Sequence, residues 1–145
     1  MLESLRLLPT DRSEWLIPVG FTVCIVLIVG VGIAIESITT ERPALLQIVY
    51  QPILFPGMFT IAPFMLAATN MLRGASLLTS VSVGVAPGFA FLLLGWGSKV
   101  TGIGSSGDAP AWVLAVVFAQ VGLGCALIGA GAGVVIQRIC EWNVV

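Results

Sequence analysis

The side chains able to do chemistry in this sequence are few, and they fall into three groups. Glu36, Glu41 and Asp108 are carboxylates that could attract cations. Gln47, Gln51, Thr60 and Gln120 are uncharged hydrogen-bonding groups that could line a path for a neutral solute. Cys24, Cys125 and Cys140 are thiols; they form no C-x-x-C pair, and two fall inside apolar runs, so neither a disulfide framework nor a metal knuckle is implied. The chain has no histidine, which removes His-ligated haem, most zinc and copper sites and His-based acid–base catalysis. No nucleophile elbow, phosphate loop or metal-ligand cluster is present. The expectation is a protein that is not an enzyme and holds no cofactor.

The elements that carry these groups must live in lipid. Of 145 residues, 58% are hydrophobic and 9% charged, against roughly 25% charged in soluble domains. Such a chain cannot cover a water-facing surface. Its formal net charge of −1 gives no basis for a nucleic-acid partner. Charge-free runs cover residues 15–35, 43–72, 74–98 and 109–137, and a spanning helix needs about 20 mostly apolar residues. Trp15, Trp96, Trp112 and Trp142 stand at the ends of runs, where an interface belt holds indole rings. The predicted fold is all-α: a polytopic membrane protein built as an up-and-down bundle of four transmembrane helices, over about 15–35, 54–72, 75–97 and 110–137. Residues 1–145 form one membrane domain.

The first run is longer than the 7–15 apolar residues of a signal-peptide core and is read as a retained helix. Asp11 and Glu14 have the spacing of a capping pair that could start it. Arg6, Arg12, Arg73 and Arg138 fall on one side of the membrane and Arg42 and Lys99 on the other. That bias places both termini in the cytoplasm.

The second run is too long for one span and contains Pro52, Pro56, Gly57 and Pro63. Proline inside a helix removes a backbone bond and kinks the chain. The second helix is therefore expected to be kinked, or preceded by a short interfacial helix, with the span starting near Pro56. Gln47, Tyr50 and Gln51 precede that point. They could line a broken-helix site, but an interfacial segment with its polar groups in water is the simpler reading. Short membrane loops ordinarily carry a few charges, so Glu36, Glu41 and Asp108 are read as solvated.

The fourth run has the clearest pattern. Ala111, Ala115, Ala119, Gly122, Ala126, Gly129 and Gly133 recur every three or four residues and fall in one narrow stripe. A stripe of small residues lets another helix approach closely. In the third run Ser76, Ser80, Gly84 and Pro87 share a face, and Gly84-x-x-x-Gly88 repeats the small-residue spacing. The third and fourth helices are expected to form a tight hairpin, the best-packed part of the molecule. Gln120 lies roughly opposite the small stripe and is expected to meet a neighbouring helix or a partner protein.

No Asp, Glu, Lys or Arg occupies the middle of any span. Ionisable groups at that depth mark proton relays and ion pathways, so a proton-coupled antiporter, pump or proton-conducting subunit is excluded. Four-helix quinone-linked thiol oxidoreductases need a C-x-x-C that is missing, and Lys99 sits in a loop, away from any retinal Schiff-base position. The expected function is a non-catalytic integral membrane subunit or scaffold that packs with itself, as a homo-oligomer, or with other membrane protein subunits. A small channel or facilitator for a neutral solute is the alternative.

Overall fold

The structure, a computed structural model, describes residues 6–38, 56–101 and 110–142. Every regular element among them is helical. Asp11 caps a 3₁₀ turn, Arg12–Trp15, by accepting the Ser13 N–H, and α1 (Leu16–Ile38) continues from it. Glu14 does not close a capping pair with Asp11. Its carboxylate takes the N–H of Thr10 at 3.2 Å and that of Ser76 at 2.9 Å.

The described part of the second run opens with a π-type turn at 56–61 and continues as α2 (Ala62–Leu72). Pro63 sits in the first turn of α2, where a missing N–H costs nothing. The third run is also broken. It comprises α3 (Leu77–Ser82), a 3₁₀ turn (Val83–Val85) and α4 (Ala86–Thr101). Pro87 has no N–H for the Val83 carbonyl, and the Ala86 N–H takes that carbonyl instead in the tighter 3₁₀ pattern. The last run is one helix, α5 (Ala111–Trp142), of 32 residues, which continues past residue 137.

Among the described residues, three stretches are long and apolar enough to cross a membrane: Arg12–Gly32, Leu77–Gly97 and Trp112–Cys140. Their length and composition are those of a membrane protein. The second run does not reach that length within the described residues, and its early part, with Gln47, Tyr50, Gln51 and Pro52, lies outside them, as do Glu41 and Asp108.

The core forms where the runs converge. Phe59 of the π-type turn, Phe91 of α4 and Phe118 of α5 pack ring on ring, with centroids 4.7–5.6 Å apart. Phe21, Ile25 and Val29 bring one face of α1 against this group. Ala67 and Met71 of α2 meet Ala126 and Ala130 of α5 in a second cluster. The expected hairpin of the third and fourth runs is thus only part of the packing, because α2 lies along the C-terminal half of α5. The physical reason is the length of the small stripe. Its Gly122 meets Gly84 of the third run, whereas Gly129 and Gly133, further along the helix, meet Phe64 and Ala68 of α2.

Candidate functional site

The small residues of α5 set how closely helices approach. Gly84 and Gly122 meet backbone to backbone. A Cβ built on Gly84 would lie 2.6 Å from the Gly122 carbonyl carbon, and one on Gly122 would strike the Gly84 carbonyl oxygen. One turn along, a Cβ on Gly88 would lie 2.6 Å from that of Ala119 and against the Ala115 carbonyl. Further down, Gly129 faces the Phe64 backbone, and Gly133 faces Ala68, whose carbonyl oxygen would be 2.8 Å from an added Cβ. Ala115 and Ala126 are buried and Ala119 is half-buried. Ala111 begins the helix. The stripe therefore divides between two neighbours, its first half on the third run and its second half on α2.

Ser80 is brought to this region but does not bond across it. Its hydroxyl donates to the Ser76 carbonyl of its own helix at 2.9 Å. Ser76, Thr79 and Ser80 form a buried hydroxyl cluster in which Ser76 caps α3 by accepting the Thr79 N–H. The Asn70 Nδ2 of α2 is buried with no hydrogen-bond partner among the described residues.

The start of α3 is completed from the other end of the sequence. The carbonyls of Arg6 and Leu7 accept the N–H groups of Leu77 and Leu78 at 2.8 and 3.3 Å, and Glu14 accepts that of Ser76. Three donors that a helix start leaves unpaired are thereby satisfied by the N-terminal segment. Arg6 stands 3.9 Å from the Glu14 carboxylate. No spacing in the sequence announces this cap, because the partners lie 62 residues apart.

No family model, curated protein or solved structure matches this chain.

The polar groups proposed as a solute path are not brought together among the described residues. The Thr60 hydroxyl bonds the Pro56 carbonyl one turn back. Gln120 is exposed on the outer side of α5. It shares that side with Val117, Gly124, Leu127 and Gly131, all exposed and within an arc of about 80° at about 100° per residue. A Cβ on Gly124 or Gly131 would meet nothing within 4 Å. Sequence reasoning fixed on the longer stripe and passed over these two glycines; their signal was a shared helical face with Gln120, at i+4 and i+11. The three cysteines are free, and no set of three His, Cys, Asp or Glu side chains gathers among the described residues. What this arrangement leaves open is one helix face of α5, around Gln120, Gly124 and Gly131.

Proposed function

We propose that the chain is a non-catalytic integral membrane subunit or scaffold, a four-helix bundle with both termini cytoplasmic, which associates with a second copy of itself or with other membrane proteins. The single observation that carries this reading is Gln120. Eight residues past Trp112 it lies about 12 Å along the helix from the interface, too deep for its short side chain to reach headgroups. A primary amide left unpaired in hydrocarbon costs several kcal/mol. Gly124 and Gly131 on the same face leave room for another helix to come close enough for a hydrogen bond. Association would satisfy the amide; the inner stripe, occupied by α2 and the third run, is not free to do so.

A photo-crosslinking residue placed at Leu127 tests the proposal in native membranes. Protein adducts are expected there, and lipid adducts only from the same residue at Val31 on the exposed side of α1. Lipid adducts alone at Leu127 would remove the reading.

A further inference from the structure

A groove of about 500 Å³ runs between α1 and the third run. Val19, Val23 and Leu27 form one wall, and Val85, Phe89 and Leu93 the other. It extends from Trp15 to Leu27, about 18 Å of helix, close to the ~15 Å hydrocarbon depth of one leaflet. Its two hydroxyls have no proton left to donate to a ligand. Thr22 donates to the Pro18 carbonyl at 2.7 Å and Ser82 to the Thr79 carbonyl at 2.8 Å.

The dimensions decide between occupants. About 500 Å³ spread over ~18 Å gives a mean cross-section of roughly 28 Å². A helix ~10 Å across needs roughly 80 Å². The walls are branched and aromatic side chains, whereas close helix approach needs small ones. A hydrocarbon chain fits where a helix does not.

The mouth supplies the second half of the ligand. Arg12 precedes Trp15 by one 3₁₀ turn, so the two share a face. Arg12 is exposed and has no hydrogen-bond or ion-pair partner among the described residues. The neighbouring carboxylates are engaged elsewhere, Asp11 with Ser13 and Glu14 with Ser76. We infer that this groove seats one acyl chain of an anionic phospholipid from the leaflet on the Trp15 side, with its phosphate against the Arg12 guanidinium.

The test uses the full chain with Trp96, Trp112 and Trp142 replaced by Phe, leaving Trp15 as the reporter. It is reconstituted in phosphatidylcholine bilayers containing increasing fractions of phosphatidylglycerol brominated on its acyl chains. Half-maximal quenching of Trp15 is expected at about fivefold lower fraction for brominated phosphatidylglycerol than for brominated phosphatidylcholine, the preference of one basic residue for an anionic lipid. Arg12→Gln removes that preference. Val23→Phe, which narrows the groove, lowers the maximum quenching; unchanged circular dichroism in each variant certifies the fold. Equal quenching by the two lipids, unaffected by Arg12→Gln, means ordinary annular lipid and overturns the inference. Protection of Trp15 from both lipids means that protein covers the groove, and overturns it as well.

Discussion

The Glu14 carboxylate accepts the Ser76 backbone N–H at 2.9 Å, joining the entrance of α1 to the entrance of α3 across 62 residues of sequence. Both helices therefore start at the same level and run in the same direction, and the hydrogen bond sets the spacing of their entrances. Glu14→Ala is expected to speed amide hydrogen exchange at Ser76, Leu77 and Leu78 while leaving α5 unchanged. Glu14→Gln keeps an acceptor oxygen and should change exchange less. Peptide-level exchange mass spectrometry in micelles reads both; equal protection in the wild type and Glu14→Ala would mean that the cap holds nothing.

Gly122→Ala should separate α5 from the third run, because its Cβ has only the Gly84 backbone to displace. Overpacking of this kind costs about 1–3 kcal/mol, measurable by denaturant titration in mixed micelles. Gly20→Ala is the matched control, since a Cβ there meets nothing within 4 Å; no loss is expected.

Phe118→Ala removes two ring contacts, with Phe59 at 4.8 Å and with Phe91 at 4.7 Å. Lipid tails are as apolar as the core, so little transfer free energy is lost. The expected cost is the ring contacts themselves, about 1–3 kcal/mol, in the same titration. A cost near the ~3–5 kcal/mol of soluble cores would mean that the neighbours cannot close around the vacated space and that the cavity term dominates.

Gly74 joins α2 to α3 with φ +76°, the left-handed region that disfavours a Cβ. Gly74→Ala should destabilise by about 1–2 kcal/mol, and Gly74→Asn by less, because asparagine tolerates this conformation. A thermal-stability series on the purified chain distinguishes the two.

Much of this architecture was legible from composition and period. Charge-free runs bounded by Trp15, Trp96 and Trp112 mark helices because lipid admits few other structures, and the stripe on α5 is visible because helical periodicity repeats it. What periodicity cannot say is which neighbour each segment of the stripe meets. Gly122 and Gly129 look alike in sequence, yet one faces Gly84 and the other Phe64. Pro87, three residues past Gly84, marks a further break, in the third run, that the sequence reading did not single out. The Glu14–Ser76 cap could not be read at all, since a contact between distant residues leaves no local pattern. Gln120 was visible as the only strongly polar side chain deep in the last helix, and its outward direction follows from its placement opposite the stripe.

The central claim is that the outer face of α5, centred on Gln120, binds another membrane protein chain. The most direct measurement is the mass of the particle extracted from native membranes in mild detergent, for the wild type and for Gln120→Leu. The prediction is a particle heavier than one 15.1 kDa chain, either a defined homo-oligomer or a stoichiometric complex with larger membrane proteins. Its dissociation constant should rise about fivefold in Gln120→Leu, the loss of one interhelical hydrogen bond of ~1 kcal/mol. A single copy of the chain, with the same mass in both proteins, would contradict it.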